Sequence, residues 1–182
     1  MQPEPDKKRI TLTIAQASVM ASLVAVATFL VQIPIPATKG YLNFGDIMIF
    51  VSAFTFGPTV SGFAGGVGSA ISDVVSGYAY FAPFTLIIKG AEGLIAGLIS
   101  NRLSKKRDII AVVIAGTEMV TGYFLAEFFG LHEGWAALGE TPFNILQIAA
   151  GGIVGISIAL ILRNRLPEAW KNQTTKQNVA TA

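Results

Sequence analysis

The stretch PFTLIIKGAEGLIAGLISN, residues 83–101, decides how this chain is read. It has the length and apolar character of a bilayer-crossing helix, yet Lys89 and Glu92 sit in its middle. A span needs about 20 residues, and an ionisable side chain in hydrocarbon costs roughly 2.5–3.5 kcal/mol unless it is paired or wetted. Asp73, Glu118 and Glu127 lie in other apolar stretches of the same kind. A chain that keeps several such groups builds a polar cavity inside a membrane bundle, and handling a solute is the first function this suggests.

Composition agrees. Of 182 residues 52% are hydrophobic and 13% charged, against roughly a quarter charged in soluble domains. There is no cysteine and His132 is the single histidine, which excludes disulfides, thiolate chemistry and His-rich metal sites. The N-terminal segment is charged, but the apolar run after it is long enough to span, so it reads as a mature helix and not a cleaved signal.

Six helices are expected: Thr11 to Ile33, stopped by Pro34 and Pro36; Asn43 to Phe56, broken by Gly57-Pro58; Thr59 to Ser76; Pro83 to Asn101; Asp108 to Gly130; and Thr141 to Leu162. Residues 34–42 read as a loop between the first two. The fold class is therefore all-α, a six-helix transmembrane bundle over residues 11–165. Residues 1–10 form a cytoplasmic N-terminal segment and 166–182 a disordered cytoplasmic tail. Of the 13 Lys and Arg, 11 fall on one side of this topology, leaving Lys39 and Lys89. The positive-inside rule makes that side, with both termini, cytoplasmic.

Small residues recur four apart, as Gly62 and Gly66, Gly93 and Gly97, and Gly151 and Gly155, a spacing that lets helices approach closely. Ala17, Ala21 and Ala25 form a longer stripe on the otherwise bulky first helix and read as an outward docking face. By helix rise, Asp46, Asp73, Lys89, Glu127, Asn144 and Gln147 belong to the outer half of the bundle, with Glu92 and Glu118 near its middle. That distribution describes a pocket opening outward. Lys89 with Glu92, Asn144 with Gln147, and Tyr123 with Glu127 each share a helix face. Glu118 and Glu127 stand half a turn apart, so only one can point straight into a pocket.

Structural alternatives stay open at each position. Asp46 with Asn43 either caps the second helix or meets a ligand. Asp73 and Lys89, at similar depth, either pair or contact solute, and Lys89 can also neutralise Glu92. Asn144 and Gln147 offer donors and acceptors together, which suits the edge of a heterocycle. Trp135 in the loop before the last helix is either an interface anchor or a cover for a flat ligand.

The order YLNFGD (41–46), FGP (56–58), GGVGSA (65–70) with Asp73, IKGAEG (88–93), GYFLAE (122–127) and PFNILQ (142–147) with Gly151-Gly152 resembles a known family. It is similar to the membrane-embedded S components of energy-coupling-factor (ECF) vitamin transporters, in the riboflavin-transporter-type branch, over about residues 12–165. The resemblance implies an outward-facing vitamin pocket with a lid from the first loop, and the residues expected to contact the solute are Asn43, Asp46, Lys89, Glu92, Tyr123, Glu127, Asn144 and Gln147. It implies docking of the Ala17, Ala21, Ala25 face on a transmembrane scaffold subunit driven by two cytoplasmic ATPases. The chain carries no phosphate-binding Gly-rich loop of its own, and it is expected to be no enzyme, to need no cofactor and to bind no nucleic acid. A standalone proton-coupled transporter is the competing reading, motivated by Glu92 and Glu118. An intramembrane enzyme is the third, limited to carboxylate chemistry. The residues leave riboflavin, thiamine, hydroxymethylpyrimidine, pyridoxine and pantothenate all open.

Overall fold

Proline decides where the first helix gives way to the only strands among the described residues. A computed structural model describes residues 7–35, 38, 40–100 and 104–165. In it α1 runs Lys7–Leu30, starting four residues earlier and ending three earlier than its sequence suggests. Pro34 cannot donate to a helix, and it biases Ile33 toward extended geometry. Ile33–Pro34 (β1) therefore pairs antiparallel with Tyr41–Leu42 (β2), Ile33 opposite Leu42 and Pro34 opposite Tyr41. The expected plain loop is a hairpin. The terminal segment 1–6, Lys39, Arg102 and the tail 166–182 lie outside the described residues.

The remaining elements are α2 (Gly45–Phe56), α3 (Pro58–Val75), α4 (Ala82–Ile99), α5 (Lys105–Leu125) and α6 (Thr141–Arg165). Gly57 joins α2 to α3 at φ 91°, a left-handed value that favours glycine, and Pro58 opens α3 where a missing N–H costs nothing. Four stretches, containing α1, α4, α5 and α6, are long and apolar enough to cross a membrane. At 12 residues α2 is only about 18 Å long, against a hydrocarbon core of about 30 Å. Its last turn is fixed at the level of the cytoplasmic helix ends, because Arg163 Nε donates to the Phe54 carbonyl at 2.8 Å. The first turn of α2 therefore lies deep in the bundle, and the β1–β2 hairpin fills the space above it.

Polarity is inverted relative to a soluble protein. Ile87, Ile153 and Ile161 are exposed, while Asp46, Glu92 and Glu127 are fully buried. The glycine pairs act in packing: a side chain at Gly93 would run into the Ser61 backbone, and one at Gly155 would meet Phe50. Ser61 Oγ also lies 2.6 Å from the Gly93 carbonyl, locking α3 to α4.

The alanine stripe requires a correction. Ala21 is buried with Met20 and Val24 against α3, and Ala17 packs on the same cluster. Gly68 of α3 approaches so closely that a side chain there would lie 2.5 Å from the Ala21 carbonyl. Ala21, the centre of the stripe, faces inward because the α1–α3 contact needs small residues on both sides, while Ala17 is half-buried. Ala25 is half-buried on the margin of that contact. Ala21→Trp is accordingly expected to overpack the bundle and cost about 1–3 kcal/mol of stability. A thermal melt of the detergent-purified variant checks this; a melting temperature equal to wild type would return the stripe to the outer surface.

Candidate functional site

Lys89 lies one to two turns into α4 and is 2% exposed. Its ammonium donates to Asp46 Oδ1 on α2 and, at 3.0 Å, to Glu92 Oε2 one turn further along α4. Asp46 Oδ2 accepts from Gln147 Nε2 of α6 at 2.9 Å, and Gln147 Oε1 accepts the Asn43 backbone N–H at 2.8 Å. A buried charge is tolerated only when paired and hydrogen-bonded, and this network meets that condition across three helices. Asp46 therefore does not cap α2. Phe44 holds the N-cap position without a side-chain cap, and Asn43 Oδ1, one residue before it, accepts the Gly45 N–H at 2.8 Å. The alternative Asp73–Lys89 pair is not formed either. Asp73 Oδ1 instead accepts the Tyr41 hydroxyl from the hairpin.

Above this network is a narrow cavity of about 20 Å³, partly open to the outside. Its wall includes Asn43, Lys89, Tyr123, Asn144 and Gln147. Asp46 and Glu92 lie outside that wall and hold Lys89. Lys89 Nζ stands 5.7 Å from the centre of the Tyr123 ring, within cation–π range, and the Tyr123 hydroxyl donates to Thr85 Oγ1 at 3.1 Å. Glu127 is fully buried and does not line the cavity; it abuts Glu140, which does.

Seven further polar or aromatic side chains line the wall: Thr28, Tyr41, Ser69, Asp73, Phe81, Thr85 and Glu140. Part of this was recoverable from spacing. Ser69 and Asp73 are one turn apart on α3, as are Thr85 and Lys89 on α4, so each pair shares an inward face. Thr28 sits four residues beyond buried Val24 on α1. Glu140 had no such signal, since it belongs to the junction between the short 3₁₀ connection Gly134–Gly139 and the start of α6.

The hairpin closes the cavity by named bonds. Thr38 donates to Glu140, Tyr41 to Asp73, and the Gly40 N–H donates to Thr38 Oγ1 at 3.1 Å. Burial, with the Asp73 carboxylate next to it, pushes the Tyr41 phenol well above its ordinary value, so its hydroxyl stays the donor. Trp135 is 74% exposed and packs edge-on to Phe128 with centroids 5.2 Å apart. That is the interface-anchor geometry.

Glu118 and Glu127 face apart, as their half-turn separation requires. From Ala126 to Gly130 the chain forms a π-type turn, with the Leu131 N–H reaching the Ala126 carbonyl at 2.8 Å. Such a turn inserts a residue and resets the helix face from that point on. Glu127, at the start of this turn, is fully buried, while Glu118 is half-buried on α5.

Known proteins agree with this architecture. The family described as "ECF-type riboflavin transporter, S component" matches residues 8–164. An uncharacterised protein of Pyrococcus woesei is 47% identical over 144 residues, 79% of this chain and 96% of that one. The thiamine precursor transporter HmpT of Lactococcus lactis subsp. cremoris is 31% identical over 157 residues, 85% of each chain. A solved S component of a bacterial ECF transporter superposes with a TM-score of 0.69 at 25% identity, over 85% of this chain and 97% of its own. The chain thus belongs to the ECF-type riboflavin transporter S-component family, as a prokaryotic plasma-membrane protein that binds the substrate of an ECF uptake transporter for a vitamin or vitamin precursor.

Proposed function

We propose that the cavity beneath the β1–β2 hairpin is the capture site, and that its solute is a small heteroaromatic vitamin or precursor. The observation that carries this is a polar cavity in the outer half of the bundle, walled by several helices and latched by one hairpin. Asn43, Asn144 and Gln147 supply amide donors and acceptors for a ring edge, and Tyr41 and Tyr123 supply aromatic faces. Lys89 contributes a charge whose position Asp46 and Glu92 fix. Glu127 acts from behind the wall through Glu140.

Asn144 and Gln147 then have different duties. Gln147 is engaged on both sides by Asn43 and Asp46, whereas Asn144 faces the cavity. Asn144→Ala is expected to weaken solute binding by roughly 1–3 kcal/mol, about 5-fold to more than 100-fold, with little change in the ligand-free melting temperature. Gln147→Ala is expected to weaken binding and also lower that melting temperature, since it strips a partner from buried Asp46. Calorimetric titration with thermal melts separates the two; equal, unaltered affinity in both variants would move the capture site elsewhere.

We infer that energy comes from a scaffold subunit and, through it, from two cytoplasmic ATPases. With the centre of the alanine stripe turned inward, the outer face of α1 offers Ala15, Ser18 and Ser22 as its small exposed residues. Ser22 Oγ donates back to the Ser18 carbonyl at 3.0 Å, so the face presents no unmet hydroxyl at Ser22 to lipid or partner. Helices in a membrane associate through such close-packing surfaces. Ser22→Trp is expected to leave solute binding by purified protein intact while abolishing ATP-driven uptake in vesicles and co-purification with the scaffold. Uptake that persists without ATP would favour the proton-coupled carrier.

A further inference from the structure

The seam between α2 and α6 holds a second cavity. Its volume is about 190 Å³, against about 20 Å³ beneath the hairpin. Leu42, Phe44 and Ile47 line one side, and Leu146, Ala150 and Gly151 of α6 the other. The cavity is a wedge with a structural cause. A side chain at Gly151 would run into Asp46 and one at Gly155 into Phe50, so from Gly151 onward α6 lies on α2 at backbone distance. Outward of that contact α2 ends at Gly45, the chain passes into the hairpin, and the seam opens. Leu146 to Gly151 lie about 8 to 15 Å along α6 from its outer start, within the outer half of a hydrocarbon core of about 30 Å. The mouth faces lipid, with Phe44 43% and Leu146 59% exposed.

The two cavities share Asn43 and Gln147, and the partition between them is made of bonds already formed. Asp46 Oδ2 accepts from Gln147 Nε2, Asp46 Oδ1 from Lys89, and Gln147 Oε1 from the Asn43 N–H. No buried side-chain polar atom in the wall of the second cavity lacks a partner among the described residues. A buried water needs about two to four polar partners, whereas an apolar-walled cavity of about 150 Å³ accepts a benzene-sized molecule. The wall therefore selects an apolar occupant. A helix, about 10 Å across with its side chains, is too wide for it. We propose that this pocket binds the hydrocarbon chain of a membrane lipid, which enters between Phe44 and Leu146 and packs on Ile47 and Ala150. The chain backs the Asp46–Gln147 bond on the side away from the solute cavity. Lipid thereby becomes part of the wall behind the capture site, whichever solute that site takes.

The test uses the full-length protein in phosphatidylglycerol nanodiscs, doped with a phosphatidylglycerol that carries a photoactivatable diazirine midway along one acyl chain. Peptide mass spectrometry then maps the label. Half-buried Ile47 is expected to be labelled more heavily than Ile153, which is 70% exposed at nearly the same depth. Contact with bulk lipid alone would give the reverse order. Ala150→Phe fills the pocket from α6. It is expected to abolish the Ile47 label, leave the Ile153 label unchanged and keep or raise the melting temperature. Ala150→Leu repeats the test if the larger ring prevents folding. Labelling of Ile47 at or below that of Ile153 in the wild type would overturn the lipid site, as would an Ile47 label that survives in a folded Ala150 variant. So would a wild-type pocket that stays unlabelled while Ala150→Phe abolishes ATP-driven uptake, which would assign the pocket to an apolar side chain of the scaffold subunit.

Discussion

A single buried ammonium sets the terms for the outer half of this protein. Lys89 ties α4 to Asp46 at the start of α2, and Asp46 in turn holds Gln147 of α6 and, through it, the Asn43 backbone. In a low-dielectric interior each of these groups would be expensive alone. Together they fix the relative depth of α2, α4 and α6, and they form the floor beneath the cavity. Removing any one leaves an uncompensated partner, so the floor behaves as a unit.

The cavity itself results from a helix that is too short. Because α2 is pinned by Arg163 at its cytoplasmic end and spans about 18 Å, it cannot reach the outer surface. The space above it is taken by the β1–β2 hairpin, whose strands pair with each other; the Thr38 hydroxyl donates to Glu140, and the Asn43 N–H just beyond β2 donates to Gln147. Non-helical backbone at membrane depth is permitted where it is enclosed by protein in this way. The same feature that creates the cavity therefore supplies its cover.

The cytoplasmic end is built on the opposite principle. Arg163 grips Asp108 through two nitrogens, at 2.8 and 3.1 Å, and Ser100 Oγ donates to the same carboxylate at 2.6 Å. This bidentate pair closes the ends of α2, α4, α5 and α6 together, and it is neutral by itself. The outer end is carboxylate-rich and latched by loop contacts. One end is closed by balanced charge, the other by a hairpin that rests on an acidic residue.

The sequence by itself determined the membrane class, the six helices and the polarity of the outer half. Those rest on local quantities: runs of apolar residues, proline and glycine punctuation, and the one-sided placement of Lys and Arg. It also made Lys89, Asn144 and Gln147 legible as candidates, because a polar group in an apolar span is costly wherever the helix ends up. It could not decide which partners those groups choose. Lys89 with Asp46 instead of Asp73, Asp46 freed from capping, and Glu140 in the cavity wall all depend on the depth at which α2 begins, a tertiary quantity. The facing of Ala21 was undecidable for a related reason: lipid and protein interior are both apolar, so small-residue spacing marks a close contact without saying with what. Which of Glu118 and Glu127 turns inward was open in the same way: their half-turn separation makes them face apart, and only the tertiary contacts choose between them.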